Sequence, residues 1–224
     1  MRPYRSGVIA GLVFLAIGVA WAVLSGNLVY VAWFVIVAVA GCFIPGEANQ
    51  VTLSRAYLAA PAFAYATSKE FAPLAVTVAI AGVTDLLDGT IARRLGQLSN
   101  FGGGLDPVVD GIFMAAFVVG IAIGGLIPLW LALVVIARYL LPAVAAGVLL
   151  LTGRRPELRH TLTGQVSTTL ILVLLGGICL FHALDQDPGN LVAAAEIVIP
   201  VATLATFVHL GFALRRPTAA PEPG

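Results

Sequence analysis

The sequence predicts an all-α protein built into a membrane. Three observations carry that expectation. Of the 224 residues, 60% are hydrophobic and only 10% are charged, with mean hydropathy +1.02; a soluble domain carries about 25% charged residues. The apolar residues fall into eight runs, each near the roughly 20 residues a helix needs to cross a bilayer. The arginines gather between alternate pairs of runs, the asymmetry that orients helices in a membrane.

The runs lie at about 8–24, 28–45, 51–68, 71–93, 103–124, 128–150, 163–183 and 191–214. The first follows Arg2 and Arg5 as a signal peptide would. No small-residue cleavage site is clear, however, and a second run follows at once, so it reads as a retained span. Turn residues part the others: Ser25-Gly26-Asn27, Pro45-Gly46, Gly124-Gly125, Pro156 and Asp187-Pro188-Gly189. The tail from Pro217 is rich in Pro and Ala and reads as disordered.

With the N-terminus placed in the cytoplasm, the inside groups are Arg2 and Arg5, Arg55, Arg93 and Arg94, Arg154, Arg155 and Arg159, and Arg215 and Arg216. The outside turns hold only Lys69 beside Glu70, and Asp185 and Asp187. This predicts an even number of spans with both termini in the cytoplasm. The net charge of +1 provides no basic field for nucleic acid. Cys42 and Cys179 sit in apolar runs as packing residues, and His160, His182 and His209 are too scattered to share a metal.

The chemistry concentrates in 85–110, DLLDGTIARRLGQLSNFGGGLDPVVD. Asp85 and Asp88 are three apart, Asp106 and Asp110 four apart, so each pair shares one face of a helix. Carboxylates at membrane depth are costly and mark functional sites. Two facing helices would converge four of them, a cluster that repels itself bare and is close to neutral with two divalent cations. The short polar link from Leu95 to Phe101 makes the two helices antiparallel neighbours. The competing readings are a solvated loop and a proton or cation path through a transporter.

Written out, the pattern is Asp85-x2-Asp88-Gly89-x2-Ala92-Arg93-x8-Gly102-x3-Asp106-x3-Asp110. It resembles the signature of the CDP-alcohol phosphotransferases, membrane enzymes that make phospholipids, at all eight fixed positions and every spacing. The resemblance implies a six-helix catalytic core over 48–216, preceded by a transmembrane hairpin over 1–47 and followed by a disordered tail over 217–224. It implies Asp85, Asp88 and Asp106 as metal ligands. Asp110 becomes the general base and a further contact to metal. An all-oxygen set suits Mg2+ or Mn2+, two ions in all, rather than zinc. Asp85, Gly89, Ala92, Arg93 and Gly102 would hold the CDP moiety: small residues admit the nucleotide to the backbone, and Arg93 forks onto the diphosphate. The donor would be CDP-diacylglycerol, entering from the lipid, with a polar alcohol as acceptor and CMP as product. Homodimers, a site at the cytoplasmic face and residence in the cell membrane are implied as well.

Outer features resemble the phosphatidylglycerophosphate synthase and cardiolipin synthase branch. They are Asn49-x2-Thr52-x2-Arg55 with Pro61, and Leu105-Asp106-Pro107-x2-Asp110. A lysine usual after the last aspartate is Gly111 here, and Gln165 stands for the lysine of a Gly-Lys-x2-Thr element. Arg138, in mid-span, and Arg159 are the expected contacts to the acceptor's phosphate. Glycerol 3-phosphate leads as acceptor, followed by inositol phosphate or phosphatidylglycerol.

Overall fold

In the computed structural model, residues 3–95, 100–151 and 162–215 are described, and all regular structure in them is helical. The helices are α1 (Arg5–Leu24), α2 (Val31–Cys42), α3 (Glu47–Ser68), α4 (Phe71–Leu95), α5 (Asn100–Ile123), α6 (Leu129–Leu151), α7 (Leu162–Ala183) and α8 (Gly189–Arg215); a 3-10 turn, Leu28–Tyr30, leads into α2. Each of the eight apolar runs corresponds to one helix. Four helical stretches are by themselves long and apolar enough to cross a membrane: Arg5–Leu24, Leu105–Ile123, Val166–Ala183 and Gly189–Val208. The Leu95–Phe101 link (in part), the Arg154–Arg155–Arg159 cluster, His160 and the tail from Pro217 lie outside the described residues.

The chain reverses by one recurring device. Gly26, Lys69, Gly125 and Asp185 all take positive φ just after α1, α3, α5 and α7. In each turn the next N–H reaches back to a carbonyl of the last helical turn: Asn27 to Ala22, Glu70 to Tyr65, Leu126 to Ile121 and Gln186 to Phe181, at 2.8–2.9 Å. This left-handed closure satisfies carbonyls that would otherwise face lipid headgroups bare.

Six helices close into a ring. Each packs on two neighbours, in the order α3–α4–α7–α8–α6–α5 and back to α3. Leu74, Phe117, Ile121, Leu131, Ile171, Leu175, Ile178 and Ile199 fill its interior, all fully buried. Cys179 belongs to the same core. Where α5 crosses α3 the backbones nearly touch: a Cβ built on Gly120 would lie 2.8 Å from Ala66 Cβ, and one on Gly124 would lie 2.5 Å from the Ala66 carbonyl oxygen. In lipid, close contact of small residues replaces the hydrophobic drive as the force that joins helices.

The α1–α2 hairpin lies outside the ring, against α3. Its two helices meet through small residues on α1; a Cβ on Gly7 would strike the Gly41 carbonyl at 2.3 Å, and one on Gly18 the Phe34 ring at the same distance. Aromatic groups then fasten the pair to the ring. Tyr57 of α3 stacks between Phe14 and Phe34. Trp21 Nε1 donates to the Tyr65 hydroxyl at 2.6 Å, and Trp33 Nε1 donates to the Ala56 carbonyl at 2.8 Å. The turn from α2 into α3 is held by Gln50, whose amide donates to the Gly41 and Ile44 carbonyls, and by Asn49, which donates to the Pro45 carbonyl.

Candidate active site

Three of the motif aspartates converge at one end of the ring. Asp85 lies ten residues before the end of α4, and Asp106 and Asp110 lie in the second and third turns of α5. The four-residue spacing of Asp106 and Asp110 places both on one face of α5, facing Asp85 of α4 through a shared partner. What they meet is Arg55 of α3. Its guanidinium Nη1 donates to Asp85 Oδ1 and Asp110 Oδ1, and its Nη2 lies 3.7 Å from Asp106 Oδ1. One turn earlier on the same helix, the Thr52 hydroxyl donates to Asp106 Oδ1 at 2.8 Å. Arg55 is 3% exposed, while the carboxylates of Asp85, Asp106 and Asp110 are 47%, 36% and 23% exposed. The cation thus forms the floor of the site, and the carboxylates its open rim.

Arg55 and Thr52 join the aspartates here, whereas the sequence placed both in a branch-specific motif and Arg55 in a topology signal. Their i, i+3 spacing was the available clue, because it puts both on one face of α3. Asn49 of the same motif serves the turn instead. The side chains of Asp88, Gly89, Ala92, Arg93 and Gly102, and all of Arg159, lie outside the described residues.

Arg138 of α6 is 6% exposed. It donates from Nη1 to the Thr206 hydroxyl at 2.8 Å and from Nη2 to the Thr168 hydroxyl at 3.1 Å. Among the described residues, the buried hydroxyls of Ser167 on α7 and Thr203 on α8, one and three positions from these threonines, have no hydrogen-bond partner. The next residue, Tyr139, packs over Gly111, where a Cβ would lie 3.6 Å from the tyrosine Cβ. Gly111 adjoins Asp110, so the arginine–hydroxyl cluster and the aspartate cluster are neighbours across the α5–α6 contact. His182 is a packing residue, its ring 4.8 Å from Phe71 and its Nδ1 donating to the Ile178 carbonyl.

The donor chemistry of this end fits a hard divalent cation: carboxylate oxygens from two helices already share one positive group, with no soft ligand among them. Among the described residues, no three acidic side chains are drawn together around a single ion position. The guanidinium holds them.

The sequence over residues 47–209 matches the CDP-alcohol phosphatidyltransferase family. The chain belongs to that family. The matched region takes in the whole ring up to α8 and begins where the hairpin ends. Among characterised relatives, a cardiolipin synthase (CMP-forming) from Streptomyces coelicolor is 40% identical over 81 residues, 36% of this chain and 38% of that protein. A probable cardiolipin synthase (CMP-forming) from Drosophila melanogaster is 41% identical over 92 residues, 40% of this chain and 28% of that protein. A CDP-diacylglycerol–glycerol-3-phosphate 3-phosphatidyltransferase from Bacillus subtilis is 31% identical over 138 residues, 62% of this chain and 66% of that protein. The chain thus spans between about a quarter and two thirds of the length of these relatives. Both names fall in the branch that the flanking motifs of this family member resemble.

Proposed function

We propose that this protein is a membrane phosphotransferase. It moves the phosphatidyl group of CDP-diacylglycerol to an alcohol acceptor and releases CMP. The observation that carries this reading is the convergence of Asp85, Asp106 and Asp110 on one cationic group, in a chain of this family.

Asp85, Asp88, Asp106 and Asp110 would hold two divalent cations, Mg2+ or Mn2+. When bound, these supply charge neutralisation for the diphosphate and for the oxygens entering and leaving phosphorus. The protein's own groups do the rest. Gly89, Ala92 and Gly102 admit the cytidine nucleotide, and Arg93 grips the diphosphate. Asp110 takes the proton of the acceptor hydroxyl. That oxygen bonds to the β-phosphorus, the bond from phosphorus to the CMP oxygen breaks, and CMP departs with its charge held by Arg93. Arg138, steadied by Thr168 and Thr206, binds the acceptor's phosphate, with Arg159 as a second contact. The lipid tails stay in the bilayer and the polar acceptor comes from the cytoplasm. The enzyme works in the cell membrane as a homodimer, with both termini on the cytoplasmic side.

Glycerol 3-phosphate is the leading acceptor, and inositol phosphate is the less favoured alternative. One observation favours phosphatidylglycerol as the second reading. The cluster beside Asp110 is rich in hydroxyls around Arg138, and Gly111 and Gln165 stand where relatives have lysine. Such a lining suits a phosphodiester of single negative charge. The deciding experiment is CMP release by the purified protein in lipid nanodiscs with Mn2+ or Mg2+, given CDP-diacylglycerol and each acceptor in turn. Release with one acceptor, abolished by EDTA, establishes reaction and substrate. Metal binding with no release across the panel overturns the reading in favour of cation transport.

A further inference from the structure

We propose that Arg55 is the resident counter-cation of the aspartate cluster. It holds the rim together while no divalent cation is bound, and it yields Asp85 and Asp110 when one arrives. The inference rests on the reading that these aspartates are metal ligands. It assigns a positioning role to a residue of α3, outside the family's aspartate signature.

The geometry gives three reasons. First, Arg55 approaches from the buried side, at 3% exposure, whereas the carboxylates face outward; an incoming ion and the guanidinium therefore reach the same groups from opposite sides. Second, a single nitrogen, Nη1, contacts one oxygen from α4 and one from α5. A small divalent cation takes oxygens at about 2.0–2.1 Å in a tight shell, whereas among the described residues no three acidic side chains are gathered into such a shell. The two arrangements exclude each other at that point. Third, Asp106 is tied independently by Thr52 at 2.8 Å. It keeps its place while Asp85 and Asp110 exchange partners.

Without a cation between them, three carboxylates would repel one another at the edge of a low-dielectric bundle. Release of Arg55 is therefore coupled to arrival of the ion. The freed fork, with two parallel donors, matches a phosphate oxygen pair, which the diphosphate of the donor lipid provides. The ion then binds weakly to the empty protein and more tightly once the anionic substrate gives Arg55 a new partner.

The test uses Mn2+ alone, with no substrate, on the full-length protein in nanodiscs. Free Mn2+ is followed by electron paramagnetic resonance and unfolding by a thermal scan in EDTA. Arg55→Gln is expected to bind Mn2+ at least about tenfold more tightly than the wild type. Its Tm in EDTA is expected to fall by roughly 4 °C or more, with the gap closing on addition of Mn2+. Arg55→Lys keeps a charge but cannot bridge three carboxylates, so its affinity falls between the two; it decides the matter if the glutamine variant does not fold. Equal or weaker Mn2+ binding by the variants overturns the proposal while leaving the ligand assignment intact, which Asp106→Asn checks separately by losing Mn2+. No Mn2+ on any of the proteins overturns both.

Discussion

At the scale of single residues, the site separates carboxylates by their company. Asp110 is the least exposed of the three at 23% and stands beside the arginine–hydroxyl cluster, whereas Asp85 is open at 47%. With Asp85, Asp88 and Asp106 left to hold metal, Asp110→Asn should still bind metal, more weakly, and substrate, but lower turnover by about 10²–10⁴-fold, the usual worth of a general base; CMP release at the wild-type rate would remove it from that role. Thr52→Val keeps the shape of the side chain and removes the donor to Asp106. A lost hydrogen bond to a metal-ligating carboxylate typically costs about 10–100-fold in metal affinity, which Mn2+ titration would read. Arg138→Ala should raise the acceptor KM by roughly tenfold, the worth of a charged hydrogen bond, and leave the donor KM nearly unchanged; equal changes in both would refute its assignment to the acceptor. That Asp106 and Asp110 face one way was legible from spacing, because two residues four apart on a helix share a face. Arg55 was not legible as their partner. Its contacts lie 30 and 55 positions away on two other helices, and no periodicity within one helix reports a meeting across three.

At the scale of elements, every helix was legible in the sequence. Long apolar runs leave the backbone no alternative to internal hydrogen bonding. Boundaries fell within a few residues of glycine and proline signals, although α3 begins at Glu47 and takes in the polar Asn49–Arg55 stretch as part of one continuous helix. The fit of the hairpin was not legible, because it depends on which side chains interlock. Gly18 on α1 accepts the ring of Phe34, and a side chain in its place would force that buried ring or the helix to shift. Gly18→Val should lower the thermal midpoint, in line with the roughly 1–3 kcal/mol that overpacking costs. Gly211→Ala, where a Cβ would meet nothing within 4 Å, should leave it unchanged. Equal effects of the two substitutions would count against close packing as the tie between α1 and α2.

At the scale of the whole molecule, a closed ring of six helices carries the aspartate–arginine cluster at one end, and the hairpin covers one of its members. The helix that supplies Arg55 also supplies Glu47, Asn49, Gln50, Thr52 and Ser54, and it is not among the described helices apolar enough to cross a bilayer alone. An arginine at the centre of a span costs about 2.5–3.5 kcal/mol on the insertion scale. Helix α1 has a mean hydropathy of 2.5 over its span, and with α2 it presents Phe14, Trp21, Trp33 and Phe34 to α3. The hairpin precedes α3 in the chain, so a hairpin already seated in the bilayer would offer the polar helix a protein surface in place of lipid. Deletion of residues 1–45 should leave α3 poorly integrated, seen as a glycosylation tag beyond α3 reporting the wrong side of the membrane, with membrane yield reduced. Full yield and correct topology after the deletion would mean that α3 integrates by pairing with α4 and α5 alone. Where the hairpin serves as that surface, the polarity that gathers Arg55 and Thr52 on α3 would make the entry of that helix into the membrane depend on the hairpin ahead of it.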